Sequence, residues 1–338
     1  MVSYVPTLES LQEVNIVTNS FDAEQGLAGG AAINLQTKSG SNQMHGSAFE
    51  YHTNNHLKAW PDQIDDPQLN TGNKPKLVYN QFGGTVGGAI KKDKIFYFVS
   101  YEGTFDHRAV QKRVTVPSAA FKNGDFSAAG TPIYDPTTGN PDGTGRTQFP
   151  GNIIPADRLD SIAKTLAGMI PDPNLDATKN NFFTAGAFAF NRNQIDSKFN
   201  YNVSQKLSLS GTFGVQHYIT AVPTVFGESL GGDPIGGSSN PGHGHGNTFR
   251  YTVMGTYTFS PSIVLDAHYG WARQGTASEQ PGLGKNIGSD VLGIPGTNGP
   301  RAFESGWPEF QFNQGSDFAT LGVPNNFMPY YRQDPQYQ

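Results

Sequence analysis

The chain has 338 residues, no cysteine, 41 glycines and a formal net charge of -5. Lack of cysteine excludes disulfide frameworks, cysteine zinc sites, iron–sulfur clusters and thiol nucleophiles, and the mildly acidic balance argues against a nucleic-acid binder, which needs a basic stripe. Charged residues make up 15% and aromatics 12%, and no run of 18 apolar residues offers a transmembrane helix, which leaves open a β-barrel with short, half-apolar strands. In chain order, the first predicted elements are Val14-Ile16-Thr18 and Ile33-Leu35-Thr37. These alternating segments, joined across a glycine-rich stretch at 26–30, can pair as strands. Residues 47–52 set Phe49 and Tyr51 against Ala48, Glu50 and His52. Residues 78–90 put Phe82, Val86 and Ile90 on one side, and the glycines at 83, 84, 87 and 88 mark bends or close backbone approach. After a turn at 91–94, residues 95–104 alternate Ile95, Tyr97, Val99 and Tyr101 with Phe96, Phe98, Ser100 and Glu102.

Residues 105–190 break the alternation. This long insertion holds turn clusters such as 136–143, a short helical turn at 118–123, and the clearest helix of the chain at 155–169. There Leu159, Ile162, Ala163, Leu166 and Ile170 recur at helical spacing between Pro155 and Pro171. A loop of that size is usually functional or a small subdomain.

Four long alternating strands follow, at 195–203, 207–218, 249–259 and 263–272. Each has about ten residues, whereas soluble strands average ~5–6 and tilted membrane strands need ~9–11. The connections at 202–205 and 260–262 are short and the one at 221–247 is long, the layout of an outer-membrane barrel. One face gathers Ile195, Phe199, Leu209, Phe213, Tyr251, Val253, Leu265 and Tyr269, and the other Asp196, Lys198, Thr212, Thr252, Asp266 and His268. In a sandwich the first face is core and the second is wet. In a barrel the first meets lipid and the second the lumen. The pattern alone fits both.

The N-terminal run Asn15-Ile16-Val17-Thr18-Asn19-Ser20-Phe21-Asp22-Ala23-Glu24, then Gly29-Gly30-Ala31-Ala32-Ile33-Asn34-Leu35-Gln36-Thr37-Lys38-Ser39-Gly40 and His45-Gly46-Ser47-Ala48-Phe49-Glu50-Tyr51, closely resembles one family. It is similar to the plug end and first wall strand of TonB-dependent outer-membrane receptors, nearest the Oar-like group that carries a carboxypeptidase-regulatory-like domain. Tyr79-Asn80-Gln81-Phe82-Gly83-Gly84, Lys94-Ile95-Phe96-Tyr97-Phe98, Gly151-Asn152-Ile153-Ile154-Pro155 and Phe327-Met328-Pro329-Tyr330-Tyr331-Arg332 continue the match along nearly the whole chain. The resemblance implies an all-β fold: a partial antiparallel transmembrane β-barrel of about seven strands, with a plug remnant at 1–43 and wall at 44–338. The insertion at 105–190 becomes an extracellular loop.

Complete barrels of this kind have about 22 strands, so the expectation is a fragment, and the missing leader reads as truncation. Its place is the cell outer membrane, as part of the complete protein. The expected function of that protein is energised uptake of a large or scarce nutrient: an iron chelate, a cobalamin or an oligosaccharide. Its partners are the TonB complex, reached through a segment absent from this chain, outer-membrane lipid and the unidentified nutrient. Two open edges in lipid leave several backbone groups unpaired, a penalty on the order of tens of kcal/mol against a net stability of ~5–15. The fragment alone is therefore expected not to transport. The competing reading is a cell-surface adhesion or ligand-binding β-protein.

No catalytic, cofactor or metal site is expected, and no enzyme. Gly-x-Ser-x-Gly and P-loop patterns are lacking, and His243-Gly244-His245 offers two ligands without a third. The residues singled out are polar ones expected to face the lumen: Glu50, His52, Glu102, Asp196, Lys198, Asp266 and His268.

Overall fold

A computed structural model of the chain describes residues 5–17, 32–59, 74–236, 241–312, 318–323 and 330–337, the last of these by backbone. Two sheets form. The small one pairs β1 (Leu11–Val17) with β2 (Ala32–Thr37), antiparallel, with Val14 opposite Leu35 and Ile16 opposite Ile33. That is the expected hairpin at the N-terminus.

The large sheet is an antiparallel meander of eight strands, each paired with its neighbours in sequence. It comprises β3 (His45–Asn54), β4 (Leu77–Lys91), β5 (Ile95–Val114), β6 (Phe182–Asn202), β7 (Leu207–Val222), β8 (Gly242–Ser260), β9 (Ile263–Glu279) and β10 (Tyr330–Tyr337). Among the described residues β3 and β10 each have one neighbour, so the sheet is open. The seven expected wall strands are all present, and β10 adds an eighth. Apart from β3 and β10, the strands run 15 to 21 residues, well past the segments that alternation marks out. The backbone ladder continues where the apolar alternation stops. For that reason the insertion expected at 105–190 contracts to 115–181, and the loop expected at 221–247 to 223–241.

Glycines on β4 and β5 serve close approach rather than bending. A Cβ on Gly83 would sit 2.9 Å from the Phe49 ring, and one on Gly103 would sit 2.8 Å from the Phe82 ring. The aromatic ring of the neighbouring strand lies over the bare backbone in each case.

Connections sort cleanly by end. Lys92–Lys94, residues 203–206 and Pro261-Ser262 turn tightly at one end, while 55–76, 115–181, 223–241 and 280–329 all leave from the other. The 115–181 loop contains α1 (Ala119–Lys122), capped by Ser118, and α2 (Ser161–Met169), whose first amides are accepted by Asp160. The expected helix at 155–169 therefore starts later. Residues 156–158 form a separate 3-10 turn, and the Asp160 cap fixes where the α-helix begins.

The long loops fold back over the sheet and are stitched to one another. Thr115 bridges Phe318 and Gly231 bridges Gly322, while Phe310 bridges Leu321 within the last loop. Their apolar side chains form the hydrophobic core of the molecule. Leu230, Ile235, Leu321, Val116 and Val225 are almost fully buried, and they pack on Val110 and Val114 from the loop end of β5. Asn181 clamps the base of the largest loop through both bonds of its amide to the backbone of Val116.

Candidate functional site: the polar face and its N-terminal cover

Residues opposite one another across an antiparallel ladder share a face, so the registers assign every side chain of the sheet to one of two sides. Ser100, Glu102 and Thr104 lie with Arg192, Gln194, Asp196 and Lys198, then with Thr212, Arg250, Thr248, Asp266 and His268. On this side the N-terminal segment packs. The Thr7 amide donates to Asp196 Oδ2 at 3.0 Å, Gln194 Nε2 donates to the Val5 carbonyl at 2.7 Å, and Lys198 Nζ donates to the Thr37 carbonyl at 3.1 Å. Thr7 and Ser100 share a hydroxyl hydrogen bond of 2.9 Å, and the Lys38 amide is held by Ser10. The wall thus holds the cover largely by its backbone. Such contacts constrain position but make few demands on side-chain identity.

The two buried carboxylates on this face are paired with arginines. Arg192 Nη2 donates to Glu102 Oε1 at 2.6 Å and to Thr104 Oγ1 at 3.1 Å. Arg250 Nη2 donates to Asp196 Oδ1 at 3.3 Å, and Asp196 Oδ2 also accepts from Gln194 at 3.2 Å. Glu102 and Asp196 are each only 3% exposed, so each carboxylate needs its guanidinium and its hydrogen bonds to be tolerated there.

The seven residues singled out from sequence divide by register. Glu102, Asp196 and Lys198 come together under the N-terminal cover. Asp266 and His268 share their face nearer the tight turns, exposed, with Asp266 Oδ1 accepting from Thr256 Oγ1 at 2.5 Å. Glu50 and His52 do not belong there. Glu50 lies opposite Phe82 and His52 opposite Asn80, which puts both on the reverse side, with Ile195 and Phe213. On this strand the aromatic Phe49 and Tyr51 share the polar face, so the side expected from alternation at 47–52 is inverted. Arg192, Arg250, Gln194 and Ser100 are functional neighbours that the sequence reading did not single out. Their signal was parity: each stands an even number of positions from Glu102, Asp196 or Thr248 on its own strand.

The reverse side is apolar and bare. Phe199, Phe213, Val253 and Ile263 are 45–59% exposed, and Tyr101, Ile195, Tyr201, Leu209, Phe249, Tyr251, Leu265 and Tyr269 join them. This belt covers 207–215 on β7 and 263–271 on β9. It ends at a polar row, where Asn193, His217 and Asn247 lie side by side. His243 and His245 are on β8 rather than in a loop, both on this side and beyond the row. Among the described residues no three histidine or acidic side chains gather as they would around a metal ion.

Comparison with known proteins gives two matches. The family model described as an outer membrane beta barrel domain matches residues 36–338. The TonB-dependent transporter Oar of Myxococcus xanthus is 37% identical over 100 residues, which are 29% of this chain and 9% of that protein. The chain thus aligns with a small part of that relative's length. No solved structure matches.

Proposed function

The chain belongs to the outer membrane β-barrel domain family and is a TonB-dependent-receptor-like protein of the outer membrane, and from that premise we propose that it supplies the plug end and eight consecutive wall strands of a TonB-dependent transporter. The observation that carries this reading is the inverted burial of the sheet. Glu102 and Asp196 are buried on one face, while a belt of phenylalanine, tyrosine and aliphatic side chains is bare on the other. Water rewards the opposite arrangement, at roughly 25 cal/mol per Å² of apolar surface covered. Hydrocarbon outside and a polar interior reward this one. Nine residues per strand in the belt match the ~9–11 that a tilted strand needs to cross a bilayer.

In this reading residues 5–17 and 32–38 are the part of the plug that rests on the wall, and the described parts of the 115–181, 223–241 and 280–329 loops face the exterior. The complete transporter takes up a large or scarce nutrient, such as an iron chelate, a cobalamin or an oligosaccharide, with energy delivered by the TonB complex. The role is transport rather than catalysis. Eight strands leave β3 and β10 with open edges, and each unpaired backbone group in hydrocarbon costs several kcal/mol, so the 338-residue chain by itself is transport-incompetent. Reconstitution into vesicles tests this. The expected result is no solute flux above empty vesicles and no heat-modifiable, protease-protected band. Either signal from the isolated chain overturns the incompetence.

A further inference from the structure

The loop half holds an apolar cavity of about 760 Å³ where α1, α2 and the last loop meet. Phe121, Phe126, Leu159 and Leu166 line it, and the last loop contributes Phe318 and Leu321. The Phe121 and Phe126 rings pair with centroids 5.1 Å apart. Apart from Leu321 these side chains are only half-buried, whereas Val116 and Val225 of the neighbouring core are sealed. On the belt, bare rings meet hydrocarbon. Here they meet water, and an uncovered apolar wall costs free energy in proportion to its area. Charge around the cavity has one sign. Among the described residues its only ionic lining groups are Lys122, Lys164 and Lys179. Two of these ammonium groups are held by backbone carbonyls of the surrounding elements. Lys122 Nζ donates to the Ile170 carbonyl at 2.5 Å, and Lys164 Nζ to the Ala156 carbonyl at 2.5 Å. Lys122 also has Asp172 as a counter-ion, at 2.7 Å. Lys164 has a neutral carbonyl as its partner, unlike Arg158 and Arg301 of the same loops, which each face a carboxylate.

We propose that this cavity binds one amphipathic carboxylate of the fatty-acid kind, its chain against the phenylalanines and its carboxylate at the Lys164 ammonium. Three features choose that occupant. The volume falls within the ~300–1,000 Å³ of small-molecule sites. Beyond the lysines, the only polar side chains of the lining are Thr131 and Thr178, so a sugar or a peptide would leave many of its own donors and acceptors unpaired. Lysines without a lining carboxylate complement an anionic end and oppose a cationic one. The cavity is separate from the polar face that holds the N-terminal cover. The proposal rests on the membrane-spanning reading only in taking the loop half as the aqueous one.

The test uses the whole chain held in amphipol and a diazirine-bearing dodecanoate, with labelled peptides identified by mass spectrometry. The expected result is saturable labelling within 117–131 and 154–170. At equal free concentration, unlabelled dodecanoate is expected to compete about tenfold better than decanoate, the effect of two buried methylenes. It is also expected to compete about fivefold or more better than dodecanol, which lacks the charge. Ala163 and Lys164 are exposed positions of α2 that line the cavity, so both can be changed without touching the core. Ala163→Phe places a ring in the volume and is expected to weaken dodecanoate and dodecanol alike, about tenfold. Lys164→Gln is expected to bring dodecanoate down to the level of dodecanol and to leave dodecanol unchanged, a difference that a misfolded chain would not show. Labelling that does not saturate, dodecanol competing as well as dodecanoate, or undiminished binding in both variants overturns the proposal. Labelling of 207–215 and 263–271 by the same reagent, rising linearly with its concentration, reads the belt separately. Belt labelling without saturable loop labelling removes the cavity site and keeps the spanning reading. Saturable loop labelling without belt labelling keeps the cavity site and removes the belt from lipid.

Discussion

Below the row of Asn193, His217 and Asn247 the sheet buries charge and exposes rings. Above it the same strands do the reverse, placing Val110, Val114, Phe182 and Phe188 under the folded-back loops and turning Gln111, His107 and Asn191 outward. A single ladder of backbone hydrogen bonds runs through both halves without a break between β5 and β6. Strand geometry is therefore indifferent to solvent, and only the parity of apolar residues records which medium each half meets. In the lower half the outer side chains pair with a low-dielectric surrounding, and the inner carboxylates must be neutralised by Arg192 and Arg250. In the upper half an ordinary aqueous core forms, made by loops rather than by a second sheet.

The sharpest way to break this contrast is to delete volume in each half. Leu230→Ala removes a side chain that is 1% exposed within the loop core, and is expected to cost about 2–5 kcal/mol. Phe213→Ala takes a larger ring from the belt, but its neighbours there are fluid, and a loss within about 0.5 kcal/mol is expected, as for other surface substitutions. Denaturant titration of both variants in detergent measures the pair. A belt variant as costly as the core one means that the rings are packed against protein, not lipid.

A second test places one charge on either side of the boundary. Val253→Arg at mid-belt is expected to cost about 2–4 kcal/mol in phospholipid bicelles, and Asn247→Arg beyond the row about 0–1. Both sites are on the outward face of β8, six positions apart. Equal costs at the two positions remove the boundary altogether, whereas a graded series through Tyr251 and Phe249 locates it to within a residue pair.

Much of the lower half is legible in the sequence. The run Leu207, Leu209, Phe213, Val215 and the run Ile263, Leu265, Tyr269, Trp271 alternate without interruption, so strand, length and face follow from period two. The hairpin of β1 and β2 follows in the same way from Val14, Ile16, Ile33 and Leu35. The upper half is not legible by that rule. In 182–194 the alternation runs Phe182, Thr184, Gly186, Phe188, Phe190 against Phe183, Ala185, Ala187, Ala189, with apolar groups on both faces because loops cover one side. A two-sided apolar run with a glycine at 182–190, and a charged stretch without apolar alternation at 105–114, both read as insertion rather than strand. Glu50 and His52 fail for a related reason. On an edge strand with aromatic residues on the polar face, alternation fixes that two faces exist but not which is which. Only pairing with Phe82 and Asn80 decides it. Among site residues, Glu102, Asp196 and Lys198 were visible as charges in apolar strands. Their guanidinium partners come from other strands, at 192 and 250, and sequence separation of 54 to 90 residues hides such pairs.

The loop half also carries its own pH signature, smaller than the mutational effects. Asp135 accepts from both terminal nitrogens of Arg158, at 2.6 and 2.9 Å, and from the amide and hydroxyl of Thr137. The Arg158 guanidinium, then the Thr137 bonds, hold the Asp135 carboxyl well below its ordinary range. Asp142 is lowered in the same direction by the Thr144 amide and hydroxyl. A carboxyl whose pKa is depressed in the folded state adds stability that is fully present above the unfolded value of ~3.9 and is lost as pH falls through the folded value. The 115–181 loop is therefore expected to loosen progressively below about pH 4, while the belt, which has no such group on its outward face, does not follow. Hydrogen exchange corrected for the intrinsic rate, compared between residues 131–160 and 207–215, reads the two halves side by side. Asp135→Asn should flatten the acid limb of the loop and leave the strands unchanged. An acid limb that persists undiminished in that variant assigns the loosening to other carboxyls and removes Asp135 as the loop's acid-sensitive tie.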